Sequence, residues 1–438
     1  MRTSAVLIGD ELLNGSTADT AVSWLGARLF ENGFELSHVQ LAADNLAAIS
    51  DAIFIAVAHG DAVVLTGGLG PTSDDLTRNA LARFLRVPLN RDQALLALIG
   101  KRYEAFGESL PDNAALMADL PDGTVALVNQ EGSAPGIRAM MDGVPIYALP
   151  GVPREMRAMF DNEVLPELVS QFEAKTQTTY ILRVALEGES AVAMKLRDWE
   201  RELPDSLSVA YLPDPGNILV KVSGRNEFEV KKYAESAAEL IGDSVYARQN
   251  RQDRPESLES KVHQLLAAKH QTLATAESLT GGAVGQALTR IPGASDNYLG
   301  GVVAYSPSLK VSLLGLSPAL LDRVGTVNPE VAYAMALGVR QATGATWGLA
   351  TTGVAGPGPS QGQAPGTVYV ALVGGGPDLG TELIERVIRL RITKANRELI
   401  RGMSVIHALE LVRRTLSGLA IAGSTEDVTH LSGREAKQ

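Results

Sequence analysis

The feature that most restricts how this chain can fold is the regular exchange of short apolar runs with helix-spaced segments over residues 1–174. Ser4–Ile8 is a continuous apolar run of the kind that forms a strand covered on both faces. Ala18–Glu31 places Trp24, Leu25 and Leu29 on one helical face. Phe34–Leu41 reads as a strand, Asn45–Ala58 as a helix and Ala62–Thr66 as a strand. A β-α-β-α-β order predicts a parallel, doubly wound sheet with helices on both faces. Ligands of such sheets sit beyond the carboxyl ends of the strands. Gly9-Asp10-Glu11 and Gly67–Thr72 both fall on that rim.

The same alternation returns later in the chain. Helix Ser257–Lys269 leads into strand Thr272–Ala276, helix Ala283–Thr289 and strand Gly301–Tyr305. Helix Pro329–Thr343, strands Trp347–Thr352, Thr367–Val373 and Glu382–Leu390, and helix Ala395–Leu416 follow. Between the two α/β patterns, residues 175–250 read β-α-β-β-α-β, a small α+β sandwich without a catalytic cluster. The expected fold is α/β: two three-layer α/β/α domains (1–174 and 257–418) flanking a small α+β middle domain (175–250). Arg248–Glu256 reads as a polar linker, and 419–438 as a disordered tail.

Glycine-rich loops punctuate both α/β halves. Gly67, Gly68, Gly70 and Pro71 leave nearly bare backbone before Thr72, and Ser73, Asp74 or Asp75 then opens a helix over Leu76–Leu85. Bare backbone at a helix N-terminus suits a phosphate, and two carboxylates beside it need a bridging divalent cation. The same residues also read as a glycine turn with an acidic helix start, which the helix dipole favours. Gly132–Gly136 and Leu149–Met156, with Pro150 and Gly151, add two more such loops. In the second half, TAESLTGG (Thr275–Gly282) reads as strand, tight turn and helix N-terminus. Gly281 and Gly282 let backbone approach a ligand, and the first-turn N–H groups would face an anion or oxyanion. Ser278 is then an exposed hydroxyl held at the turn; alternatively Ser278 or Thr280 caps the helix.

Composition removes several function classes. There is no cysteine, hence no disulfide, thiol nucleophile or thiolate metal site, as suits a reducing cytosol. The six histidines show no HExxH or paired zinc spacing. A net charge of −11 argues against a general nucleic-acid or anionic-membrane surface. Asp51, His59 and Asp61 interrupt the longest apolar region, Leu46–Leu65, so no membrane span is expected. Asp10 and Glu11 break the first apolar run, so no signal peptide is expected either, and a cytoplasmic location follows.

GDELLNG, GGLGPTSDDLT, GSAPG and LPGVPREM together resemble the amino-terminal half of the CinA family (competence/damage-inducible protein A), itself similar to the molybdopterin-binding MoaB/MogA domain. That resemblance implies metal-dependent hydrolysis of ADP-ribose to AMP and ribose 5-phosphate. It implies a nucleotide site at Asp10, Glu11, Gly67, Gly68, Gly70, Pro71, Thr72, Asp74, Asp75, Gly136, Pro150 and Gly151, with Asp74 and Asp75 holding a divalent cation (Mg, Mn or Co). Ala21 departs from the family, which has asparagine after the Asp-Thr pair. The middle segment resembles the family's KH-like domain but lacks a GxxG loop.

TAESLTGG, PGAS, GGVVAYSPSLK and TTGVAGPGPSQGQAPGTV, in that order, resemble the carboxy-terminal CinA domain, the PncC-type nicotinamide mononucleotide (NMN) deamidase. Hydrolysing a carboxamide needs a nucleophile, a base, an oxyanion donor and an anchor for the phosphate. A serine paired with a neutral lysine suffices for the first two. The family's dyad carries onto Ser278 and Lys310, with no cofactor. By the same resemblance Glu277, Thr280, Gly281, Gly282, Ser295, Tyr305, Thr352, Gly353 and Arg397 bind substrate, Arg391 and Arg401 being other registers for the phosphate arginine. On residue pattern alone, Lys310 is a surface lysine starting a helix Val311–Leu314. Leu279, Asn328 and Ala364 depart from the family's usual residues. The resemblance implies a homodimer acting on NMN and ADP-ribose in pyridine-nucleotide salvage, with no membrane or nucleic-acid partner. The alternative is a nucleotide- or molybdopterin-binding scaffold linked to competence or recombination.

Overall fold

The computed structural model describes residues 1–105, 107, 109–174, 177–214, 216–375, 382–423 and 425–431. The chain divides into two compact units, Met1–Gln177 and Thr178–Gln438.

The first unit is built on a six-stranded sheet in the spatial order Glu35–Ala42, Arg2–Ile8, Ala62–Thr66, Val144–Leu149, Gly136–Met141, Val125–Leu127. The first four strands are parallel and the last two antiparallel. The sheet is therefore mixed, not wholly parallel. Asp142 and Gly143, both at positive φ, join two of its strands, and so short a turn permits only an antiparallel return. Alternate residues of the strands feed two cores. Val6, Ile8, Val63 and Leu65 meet Ile49, Ile53 and Leu81 on one face. Ala5, Leu7 and Val64 meet Leu25, Leu29 and Phe160 on the other. The helix after the glycine loop starts at Thr77 with Leu76 at its cap and no capping side chain, so Asp74 and Asp75 lie in the loop and not in the helix.

The second unit contains two sheets. Leu207–Asp214, Asn217–Gly224, Thr178–Ala185 and Val245–Asn250 form an antiparallel sheet, with helices Glu189–Arg201 and Glu227–Ile241 covering one face through Val192, Leu196, Val230 and Ala234. The last strand takes up the start of the expected linker. Gln249 Oε1 accepts from Glu256 N at 2.9 Å and from Arg183 Nε at 3.2 Å, so this polar stretch is anchored.

The larger sheet runs Tyr298–Val303, Leu273–Glu277, Trp347–Gly353, Thr367–Gly375, Leu383–Arg391, Glu426–Asp427. Its first three strands are parallel and the rest antiparallel. Leu273, Leu349 and Val370 face Val262, Leu266 and Leu409, while Ala274, Ala350 and Ala371 face Val331, Met335 and Val339. Part of the tail expected to fray from residue 419 is docked: Glu426–Asp427 pairs with the edge strand and Val428 is fully buried. Residues 432–438 lie outside the described residues.

The long closing helix Arg397–Leu416 also reaches the smaller sheet's domain. Glu410 is buried between Arg413 and Arg414, at 2.6 and 2.7 Å, and these arginines donate to Asp243 O and Ser244 Oγ. No described helix is long and apolar enough to cross a membrane.

Candidate active site

Strand Leu273–Glu277 is buried along its whole length between two parallel neighbours, which delivers Ser278 to the carboxyl rim of the sheet. Ser278 N donates to Thr351 O at 3.0 Å, fixing the first residue of the turn. The chain then reverses through Gly281 (φ 63°) and Gly282 (φ 94°), a conformation that strains any residue with a β-carbon.

The N–H groups expected to face an anionic ligand are already bound to an internal anion. The buried Glu277 carboxylate accepts from Gly282, Val284 and Gly285 N at 2.9, 3.1 and 2.8 Å. Glu277 therefore staples the turn and is not a free substrate ligand. Thr280, also buried, shares a 2.7 Å hydrogen bond with the Thr351 hydroxyl. The N–H groups of Leu279 and Thr280 have no partner among the described hydrogen bonds, so the donors left for an oxyanion come before the glycines.

Lys310 lies within helix Pro307–Leu314, capped by Ser306 Oγ, and not at the start of a surface helix. It is 1% exposed, among the largest fully buried side chains of the protein. Its Nζ lies 2.6 Å from Ala304 O, 3.1 Å from Ser278 Oγ and 3.4 Å from Tyr305 O. Burial pushes its pKa down from 10.5 to about 8. Once neutral, the amine can accept the proton of the serine hydroxyl across the same contact.

Other expected residues share this rim. Arg397, the first residue of the closing helix, donates to Gly356 O at 2.9 Å and to Tyr305 Oη at 3.1 Å. Tyr305 is 60% exposed and joins the arginine to the lysine through its backbone carbonyl. Arg391 instead lies 3.8 Å from Glu426, and Arg401 donates to Leu279 O and Thr280 O at 3.1 and 2.8 Å. Of the three arginines, Arg397 is the one bonded to Tyr305. Thr352 and Gly353 end the central strand there, with the Thr352 hydroxyl donating to Thr326 O at 2.7 Å. Asn328, one of the departures, caps the helix after it by accepting from Glu330 N at 2.9 Å.

Ser295 does not join this group. It precedes strand Tyr298–Val303, at whose amino end Asn297 bonds to residues 271–273, whereas Ser278 follows the carboxyl end of the parallel neighbour. About five residues of strand at roughly 3.3 Å each separate the two ends within one chain.

In the first unit, a cavity of about 430 Å³ opens at the corresponding rim. Gly67, Gly68, Gly70, Pro71, Pro150 and Gly151 supply bare backbone, and Glu11, Asp44, Asp74, Asp75 and Glu155 supply carboxylates. Gly67 has φ 109°, and a β-carbon there would strike the carbonyl of Ile8. Not all of the expected residues line this cavity. Gly136 is closed in by Met159, Ala148 and Leu127, a packing position. Asp10 is exposed and does not line the cavity; its N–H donates to Asp44 Oδ2 at 2.9 Å while Asp44 N donates to Asp10 Oδ1 at 3.1 Å. Thr72 donates to Asp75 Oδ2 from N and from Oγ1 at 2.8 and 2.5 Å, so Asp75 closes the loop on itself. Burial raises the Asp44 pKa, helped by the charges of Asp10, Glu11 and Asp74 and opposed by the Asp10 N–H bond.

Sequence reasoning missed Asp44, Glu155 and Arg78. Asp44 follows the carboxyl end of strand Glu35–Ala42, so the rim rule that selected Gly9–Glu11 could have found it. Arg78 carried no such signal. It is buried behind the loop and donates to Leu69 O and Gly70 O at 2.5 and 2.8 Å. No three described Asp, Glu or His residues converge as a metal-binding group. The carboxylates lining the cavity, Glu11, Asp44, Asp74, Asp75 and Glu155, are hard oxygen donors of the kind that a divalent cation takes.

One unit thus presents a glycine-walled acidic cleft and the other a half-buried serine beside a buried lysine, both at sheet rims. Comparison with known proteins finds a family match for each of the two α/β regions. Residues 255–416 match the family model described as CinA C-terminal domain, and 4–170 match the one described as "Probable molybdopterin binding domain". The chain is 38% identical to a CinA-like protein of Frankia casuarinae, covering 96% of this chain and 97% of that one. A CinA-like protein of Myxococcus xanthus is 35% identical, over 95% and 98%. A solved CinA structure from Thermoplasma acidophilum matches 36% of this chain and 94% of its own, at 32% identity and a TM-score of 0.35. The chain belongs to the CinA family.

Proposed function

We propose that the carboxy-terminal domain is a nicotinamide-nucleotide amidohydrolase that converts NMN to nicotinate mononucleotide and ammonia. The observation that carries this reading is the 3.1 Å contact between Ser278 Oγ and a lysine amine that burial makes easy to deprotonate. Neutral Lys310 takes the serine proton as Oγ bonds to the carboxamide carbon. The tetrahedral oxyanion faces the Leu279 and Thr280 N–H groups. Lys310 returns the proton to the departing nitrogen, ammonia leaves, and water cleaves the acyl-enzyme with the same lysine as base. Arg397, beside Tyr305, suits the substrate phosphate because its fork binds two oxygens. The test is ammonia release from NMN by purified protein. Folded Ser278→Ala should release none, and near-normal turnover by that variant would refute the assignment.

The cleft of the first unit is read as an ADP-ribose pyrophosphatase site. The glycine loop offers bare backbone to the pyrophosphate, and Asp44 and Asp74 would hold a divalent cation with it, in place of the expected Asp74–Asp75 pair, since Asp75 is taken up by Thr72. When bound, the cation would offset phosphate charge and activate water. A second reading rests on the family match over 4–170: the same cleft holds a pterin phosphate without hydrolysing it. Thermal shifts with ADP-ribose and with a molybdopterin precursor separate the two.

A further inference from the structure

The nucleophile loop is gripped by Arg401, considered above only as another register for the phosphate arginine. Arg401 lies one turn beyond Arg397 on the closing helix. Its Nε donates to Leu279 O at 3.1 Å and its Nη2 to Thr280 O at 2.8 Å. Both carbonyls belong to the two residues directly after Ser278. In a planar trans peptide the N–H points away from the C=O of the same unit. Holding the Leu279 carbonyl toward Arg401 therefore turns the Thr280 N–H to the opposite side. Ser278 O accepts from Gly281 N at 3.1 Å inside the turn, which directs the Leu279 N–H outward by the same rule.

Every other early N–H of the loop is taken. Ser278 N is bound to Thr351 O, Gly281 N to Ser278 O, and Gly282, Val284 and Gly285 N to Glu277. Leu279 and Thr280 are the two whose N–H groups have no partner among the described hydrogen bonds. A guanidinium on the carbonyl of a peptide also polarises the N–H at its other end, because hydrogen bonds in series strengthen one another.

We propose that Arg401 is a positioning residue for catalysis: it orients and polarises the Leu279–Thr280 peptide as the oxyanion-binding donor of the Ser278 site. The proposal rests on the Ser278–Lys310 mechanism above and adds what aims its oxyanion donors. Arg401 touches loop carbonyls, not substrate, so its effect falls on the transition state and not on ground-state binding.

Full-length wild type, Arg401→Gln and Arg401→Lys are compared by NMN turnover and by the rate at which a fluorophosphonate labels Ser278. The label's phosphoryl oxygen uses the same donors but needs no nucleotide. Loss of one oxyanion donor lowers kcat by roughly a hundredfold or more. Arg401→Gln is expected to lose that much in kcat and in labelling rate, with KM within about threefold and an unchanged pH midpoint for the rising limb. Arg401→Lys, whose single ammonium can serve one carbonyl well, should fall between. Folding is checked by circular dichroism, and if Arg401→Gln does not fold, Arg401→Lys alone decides. A folded variant with near-normal kcat and labelling, or one altered only in KM, overturns the proposal. Wild-type labelling without ammonia from NMN overturns the substrate reading alone, and the labelling rates of the variants still decide the role of Arg401. A wild-type Ser278 that neither labels nor turns over overturns both.

Discussion

Replacing Lys310 by methionine should abolish turnover and, at neutral pH, make the protein more stable. The lysine is buried to 1% exposure, and its pKa falls from 10.5 to about 8. A drop of that size means that the folded state holds the charged amine about 3 kcal/mol less favourably than the unfolded chain does. Methionine fills similar space without the charge. It forfeits the bonds from Nζ to Ala304 O and Ser278 Oγ, together about 2 kcal/mol. The net gain at pH 7 is about 1 kcal/mol. The sign changes with pH. Below about 8 both states carry the proton and the full penalty is present. Between about 8 and 10.5 only the unfolded state keeps it, so the wild type gains on the variant as pH rises. Above 10.5 both are neutral and only the lost bonds remain, leaving Lys310→Met the less stable. Urea unfolding of both proteins at pH 7 and near pH 10.5 reads this crossing. A stability difference that does not vary with pH would show that Lys310 is not held as a strained base, and the mechanism would lose its proton acceptor.

Four other outcomes follow from particular contacts. Wild-type ammonia release should climb with pH through about 8, where Lys310 becomes neutral, and a flat profile from pH 6.5 to 9 would contradict a lysine base. Chelation should stop ADP-ribose cleavage but spare ammonia release; Asp74→Asn should mimic it, while Asp75→Asn should chiefly lower the melting temperature by loosening its contact with Thr72. His407 is buried, with its pKa pushed down to about 4, so the folded state resists a proton that the unfolded state accepts from about pH 6.5 downward. Stability should fall by about 3 kcal/mol between pH 6.5 and 4 on this account, and His407→Leu should flatten that acid slope in denaturant titrations. Glu410→Gln should destabilise the second unit by about 3–5 kcal/mol by leaving two buried guanidinium groups without their shared anion; an unchanged urea midpoint would show the triad to be dispensable.

Much of the architecture was legible because local pattern and final environment agree. Strand Ala62–Thr66 and helices Glu227–Ile241, Ala283–Thr289 and Pro329–Thr343 end where the periodicity ends. Each has a glycine, proline or capping asparagine close to a boundary. The mixed character of the two large sheets was less legible, since an apolar run does not record the direction of its neighbour. At the rims, glycine loops and carboxylates can be seen in one dimension. What they bind to inside the protein cannot. Glu277 looks like a ligand until its carboxylate is found on three N–H groups of its own turn. Lys310 looks like a surface residue until the segment Ala304–Lys310 folds it against Ser278. Arg78 and Arg401 sit 9 and 122 positions from the first carbonyl each holds, and no spacing rule announces them. The docking of residues 426–428 was not legible because a two-residue strand and one buried valine are too little for a pattern to show.

The closing helix Arg397–Leu416 is tied at both ends by its own arginines, the first pair to the serine rim and the last pair to residues 243 and 244. Helix termini ordinarily open and close many times for each opening of the middle. Here an outward swing of the first turn breaks the bonds of Arg397 to Gly356 O and Tyr305 Oη, and one of the last turn uncovers buried charge. Amide hydrogens at the two ends should therefore exchange at rates close to those of the centre. A deuterium gradient along the helix would be shallow, and what happens to one end would be felt as strain at the other.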